Sequence, residues 1–194
     1  MGSIERAIIH ELGNKVSYLK AYVETNADKF DEEFISLVSN LDIITRYLVD
    51  TTMGKDKSLT HVVTNLGNLL LDVKDELLFF AESRKISIRI KRCEQVNIKS
   101  DPFLLSRVLF NLLHNAIKFS PQSSEVVVEC HTDINGSKIE ILNKVDSENL
   151  KENKGTGVGL KLSEKIIESL GGSLEFLLKG DKAIATITLP SNLT

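Results

Sequence analysis

Between Pro102 and Ser120, the residues Asn111, Asn115 and Lys118 recur at i, i+4 and i+7 and therefore share one face of a helix. Amide oxygens are hard ligands for a cation such as Mg²⁺, and a lysine ammonium is a point charge suited to phosphate oxygens. The apolar stripe Leu105, Val108, Leu109, Leu112 and Ala116 gives the same helix a core side. A second segment, Lys154-Gly155-Thr156-Gly157-Val158-Gly159-Leu160, leads into an amphipathic helix (Leu162, Ile166, Ile167, Leu170) that stops at Gly171-Gly172. Glycines admit close backbone approach to a ligand, and the helix start offers unpaired N–H groups to anions. The spacing is not that of the dinucleotide fingerprint, whose preceding buried strand is missing here. A third candidate is His10-Glu11-Leu12-Gly13-Asn14. His10 lies about 160° round a helix from Ile8 and Leu12, so it faces solvent as a potential nucleophile. Asn14 follows one turn later on nearly the same face.

These groups need elements to hold them. Ile4, Ile8, Leu12, Val16, Leu19 and Val23 mark one side of a first helix. Phe34, Leu37, Val38, Leu41, Ile44, Thr45 and Leu48 mark a second, nearly heptad one. A two-helix hairpin cannot bury both stripes alone, so residues 3–55 are expected to pair as a dimeric four-helix bundle. Met53 to Lys57 forms the linker. Residues 58–194 alternate: a short strand at Val62-Val63, a helix over 66–83, strands at Ile86–Ile90 and Val96–Ile98, and the helix opened by Asp101-Pro102. Hairpins follow around Asn135-Gly136 and Lys179-Gly180-Asp181. Helices on one face of a mostly antiparallel sheet make an α+β two-layer sandwich.

Composition bounds the rest. The 194 residues are 42% hydrophobic and 26% charged with a net charge of −3, so no basic excess points to nucleic acid. No apolar run is long enough to span a membrane, and no signal peptide is evident. Cys93 and Cys130 lack paired spacing and read as reduced cytoplasmic thiols. His61, His114 and His131 read as background, and Asp72, Asp75 and Glu76 as a solvated helix face. No zinc spacing is present.

The order of hairpin, linker, Asn-Asn-Lys helix and glycine loop resembles the catalytic core of two-component sensor histidine kinases, across nearly the whole chain. The resemblance implies a Bergerat (GHKL-type) domain binding ATP and Mg²⁺ behind a homodimeric phosphotransfer hairpin, with a response regulator receiver domain as partner. It makes His10 the phosphoacceptor, Glu11 its acid/base partner, and Asn14 the residue that positions water for dephosphorylating the regulator. Asn115 would be the principal Mg²⁺ ligand, with Asn111 assisting. Lys118 would contact phosphate, Phe119 would pack near the ribose or adenine, and Gly155, Thr156, Gly157, Val158, Gly159 and Leu160 would wrap the phosphates. ATP-hydrolysing relatives carry a glutamate at the position of Asn111, and an amide cannot replace that base, which disfavours a hydrolytic motor.

Three positions depart from the family pattern. Asn143 stands where the family has Asp, with Val145 and Ser147 in place of glycines, so adenine would meet an amide oxygen instead of a carboxylate. Eleven residues separate Asn143 from Gly155, a short lid. Lys15 replaces a helix-kinking proline. These departures keep open a histidine phosphotransferase relay with a degenerate ATP site. An anti-sigma-type binding module lacks the histidine hairpin and is disfavoured. The chain is expected to be cytoplasmic, either alone or as part of a larger sensor.

Overall fold

The structure, a computed structural model, describes residues 3–30, 62–145 and 158–191, together with Phe34, Ile35, Val38, Leu41, Asp42, Thr45 and Val49. The chain divides into two compact units, Met1–Ser58 and Leu59–Thr194.

In the first unit, α1 (Ser3–Thr25) ends in a short 3-10 turn at Ala27–Lys29. The seven described positions between 34 and 49 are helical. Their contacts with α1 run antiparallel. A Cβ at Gly13 would lie 3.0 Å from Val49, Ser17 Oγ donates to Asp42 Oδ1 at 3.1 Å, and Phe30 stacks on Phe34 at 5.1 Å. Asp42, only 2% exposed, is also paired with Lys20 at 3.7 Å. The expected single stripe of α1 divides in two. Val16 and Val23 are buried with Val38 and Thr45, whereas Ile8, Leu12, Leu19 and Tyr22 remain 40–60% exposed along a neighbouring line. The reason is geometric: one partner helix covers only part of an apolar arc this wide.

The second unit is a two-layer sandwich. Antiparallel β1 (Val62–Asn65) and β3 (Asn97–Ser100) form a small ribbon at its start. Asn65 then caps α2 (Leu66–Glu76) by accepting from Asn68 N at 3.0 Å. The helix expected over 66–83 is broken at Leu77, with α3 (Leu78–Ser83) continuing beyond. Next come β2 (Ser87–Lys91) and α4 (Pro102–Phe119), whose N-cap Asp101 accepts from Phe103 N and Leu104 N at 3.0 and 3.1 Å. Then β4 (Glu125–Asp133) and β5 (Gly136–Lys144) form the first hairpin. Finally α5 (Val158–Ser169) precedes the hairpin of β6 (Ser173–Lys179) and β7 (Lys182–Pro190).

The five-stranded sheet runs β2-β4-β5-β7-β6, antiparallel except where β2 joins β4 in parallel. Val126, Val128, Ile139, Ile141, Ala185 and Ile187 line its inner face, and Leu105, Leu109, Leu113 and Ile117 of α4 are fully buried with Ile166 and Ile167 of α5. Each large side chain so buried contributes about 1.5–3 kcal/mol. At Gly136 (φ +151°) a Cβ would meet Leu189 O at 2.1 Å, so glycine there lets β5 start against β7. Strand β5 runs on to Lys144, which places Asn143 inside the sheet.

The cysteine expectation is corrected. Cys93 and Cys130 are bonded, with Cα atoms 5.0 Å apart and a sequence separation of 37. Both are buried, and the bond ties the bend after β2 to β4. Sequence spacing gave no sign of it because the pairing depends on the β2–β4 crossover. The background assignment of His131 also changes, since it lies 3.8 Å from Glu140 across the β4–β5 hairpin. Glu76 stays partly solvated on its helix and accepts from both terminal guanidinium nitrogens of Arg107 at 3.2 Å.

Candidate nucleotide site and phosphoacceptor helix

Helix α4 carries the predicted amides, and their surroundings differ. Asn111 is 7% exposed and donates through Nδ2 to Ser163 Oγ of α5 at 2.9 Å. A Cβ on Gly159 would meet Asn111 Oδ1 at 2.8 Å. Gly159 therefore serves close packing of α5 on α4, and Asn111 is a link between the helices before it is anything else. Asn115, one turn on, is half-buried, and its amide bonds to no described residue. Lys118 is half-buried beside Phe119, its Nζ 6.0 Å from the ring centre. Leu160 is half-buried in the first turn of α5. Val158 opens that helix, while Gly155, Thr156 and Gly157 lie outside the described residues, as do His61 and the 53–57 linker.

At the end of α4, Ser120 joins three elements. Its Oγ donates to Ala116 O at 2.6 Å and accepts from Asn143 Nδ2 at 3.2 Å, while its carbonyl accepts from Arg84 at 3.3 Å. Asn143 is 9% exposed and also donates to Lys144 O at 2.7 Å, so Oδ1 is the part of its amide that no described residue occupies. Sequence reading had no role for Ser120 or Ser163. Their only signals were position: one directly after Phe119, the other one turn after Gly159.

His114 is more than background. Its ring stacks between Phe80, at 4.4 Å, and Phe110, at 6.1 Å. Burial, reinforced by the charge of Lys118, lowers its pKa to about 4, so it is a neutral packing group at pH 7. Among the described residues no cluster of three His, Cys, Asp or Glu side chains is placed to hold a metal. A cation here would depend on amide oxygens, and those of Asn115 and Asn111 accept from no described residue, in keeping with hard-ligand chemistry.

In the first unit, His10 is exposed on α1 with Asn14 Nδ2 3.4 Å from its Nδ1. Glu11 is turned to Lys15, 3.2 Å away, and does not bond His10. Adjacent residues point about 100° apart round a helix, whereas i and i+4 overlie.

Residues 100–193 match the family described as "Histidine kinase-, DNA gyrase B-, and HSP90-like ATPase". Sensor histidine kinase HprS of Escherichia coli (strain K12) is 30% identical over 186 residues, covering 87% of this chain and 40% of HprS. The chain resembles the two-component sensor histidine kinases along most of its length and carries a GHKL-type ATPase domain. It spans less than two thirds of the length of the curated relatives it matches. The catalytic domain of histidine kinase ThkA superposes with a TM-score of 0.59 at 22% identity, covering 66% of this chain and 96% of that domain. A crystal structure of ThkA in complex with the response regulator protein TrrA gives 0.59 at 17% identity, over 98% of this chain and 62% of that one. At these identities the likeness establishes the α+β sandwich fold. No helix among the described residues is long and apolar enough to cross a membrane.

Proposed function

We propose that this chain is an ATP-dependent histidine autokinase that phosphorylates His10 and passes the phosphoryl group to an aspartate of a response regulator receiver domain. The observation that carries the proposal is the pair of open amides near the end of α4. Asn115 and the Oδ1 of Asn143 engage no described residue. Asn143 would read the base, Phe119 would pack near it, and Lys118 would hold phosphate with the glycine segment 155–160. Mg²⁺, when bound, would offset phosphate charge. Asn115 is its principal ligand in this chain, with Asn111 assisting through Oδ1 while its Nδ2 holds Ser163 of α5.

At His10 the chemistry is a proton account. Attack through Nε2 needs that nitrogen unprotonated and the proton on Nδ1. In the arrangement seen, Asn14 donates to Nδ1 and so favours the other tautomer. Turning the Asn14 amide over lets its oxygen accept from Nδ1–H and frees Nε2 to attack. As the N–P bond forms, the bond from the γ-phosphorus to the β,γ-bridging oxygen breaks and ADP leaves; the ring must then shed its Nδ1 proton, and Glu11, freed from Lys15, is the proposed acceptor. Asn14 is also the group proposed to position water when the regulator is dephosphorylated.

We further assign a homodimer to the first unit, supported by the exposed line Ile8, Leu12, Leu19 and Tyr22 beside an already filled seam. Residues 3–55 would be the phosphotransfer part and 58–194 the ATP-binding part, in the cytoplasm.

Incubation with labelled ATP and Mg²⁺ tests the function. Label that is acid-labile, base-stable and lost in His10→Ala is the expected result, and Asn115→Ala should abolish it while leaving the dimer intact. A phosphotransferase relay remains the second reading, favoured by Val145 in place of a glycine. It requires no label from ATP, no nucleotide binding, and phosphate accepted from a phosphorylated regulator.

A further inference from the structure

The Asn143 amide is held in one orientation by groups that cannot serve the opposite one. Lys144 O, 2.7 Å away, is a carbonyl and can only accept. Ser120 Oγ has a hydrogen to give, but a 2.6 Å bond commits it to Ala116 O, so toward Asn143 at 3.2 Å it too is an acceptor. Ser120 is fully buried and cannot turn its hydroxyl to water. It is fixed from both sides, by Ile117 O accepting from its N–H at 3.3 Å and by Arg84 donating to its carbonyl. Rotating the amide by half a turn would set Oδ1 against two oxygens and strand a buried NH₂. A free asparagine can show a ligand either a donor or an acceptor. This one shows an acceptor only.

We infer that Ser120 is a positioning residue for base selection. It locks Asn143 as a hydrogen-bond acceptor, so the site takes a purine nucleotide bearing an exocyclic amino group at C6 and rejects one bearing an oxo group there. This inference rests on the nucleotide function proposed above. It also reverses the simplest expectation for position 143. Restoring the family's aspartate would place a carboxylate against Lys144 O and force Ser120 to abandon Ala116 O.

Calorimetric titration of the full chain with ATP–Mg²⁺ and with ITP–Mg²⁺, which exchanges the C6 amino group for oxo, provides the test. The unaltered chain should prefer ATP by about tenfold or more, the scale set by leaving one buried polar group unpaired. Ser120→Ala should cut that preference at least threefold by weakening ATP more than ITP. Equal weakening of both nucleotides would make Ser120 a merely structural residue and overturn the inference. Asn143→Asp, measured independently, should bind ATP less tightly than the unaltered chain; tighter or equal binding overturns the lock even if Ser120→Ala fails to fold. ATP bound with no preference over ITP refutes the base selection alone. Failure of the unaltered chain to bind either nucleotide refutes the nucleotide function and the inference with it.

Discussion

Reducing the Cys93–Cys130 bond should weaken the second unit by an amount that its place in the chain sets. The two cysteines are 37 residues apart. Releasing a closed loop of that size returns to the unfolded chain entropy equivalent to about 4 kcal/mol at 25 °C, and residual structure in that chain brings the expectation to about 2–4 kcal/mol. The folded state offers little compensation, since both sulfur atoms stay in a packed interior. Reduction is a cleaner perturbation than substitution, because a serine at either buried position would add about 1–3 kcal/mol for an unpaired hydroxyl. Urea unfolding followed by circular dichroism, with and without a phosphine reductant, gives the comparison. With a slope near 2 kcal/mol/M, the midpoint should fall by about 1–2 M, and the slope should steepen as the released chain expands. Mass analysis of the non-reduced digest must show the Cys93 and Cys130 peptides joined. Coincident unfolding curves from a sample whose bond is shown intact and then broken would refute the reasoning, as would a digest containing only free thiols.

Three further outcomes are expected. His114 has a folded pKa of about 4 against an ordinary 6.5, so between these values the unfolded chain takes up the proton and the folded one does not. Stability should therefore be full above pH 6.5 and decline by up to about 3 kcal/mol toward pH 4. His114→Phe should flatten that part of the profile while keeping the stack with Phe80, and an unchanged profile would contradict the assignment. Gly159→Ala pushes a methyl to within 2.8 Å of Asn111 Oδ1 and should cost about 1–3 kcal/mol in thermal unfolding; a neutral effect would show that α5 can retreat freely from α4. Leu12→Asp combined with Leu19→Asp should convert a dimer to a monomer in sedimentation equilibrium while leaving the helical circular dichroism signal. A persistent dimer would place the interface elsewhere.

Much of this was readable from residue order, for identifiable reasons. Asp101-Pro102 and Asn135-Gly136 fix a helix start and a hairpin by local chemistry, and both stand where expected. The α4 stripe is so regular that its buried side was fixed before any partner was known. What escaped depended on distant pairings. The disulfide needed β2 to lie beside β4, and the roles of Ser120 and Ser163 needed α4 to meet β5 and α5. Asn111 illustrates the limit. Its spacing to Asn115 implied a shared ligand face, but nothing in that spacing announced that its Nδ2 would also hold Ser163 of α5. The break at Leu77 had no signal in an unbroken run of helix-favouring residues. In the first unit, periodicity found the apolar residues of α1 but could not apportion them between an intrachain seam and an open line.

Asn143 does not sit on a loop. It lies in a strand hydrogen-bonded on one side to β4, opposite Val126, and on the other to β7, opposite Ala183. Amides in such an interior strand exchange with deuterated solvent chiefly when the whole domain opens, whereas those of surface connections exchange through fraying. The residue assigned to read the base thus belongs to the most slowly exchanging layer, and deuterium uptake there should track global unfolding. Base preference could then be retuned only by sequence changes that the surrounding sheet also tolerates.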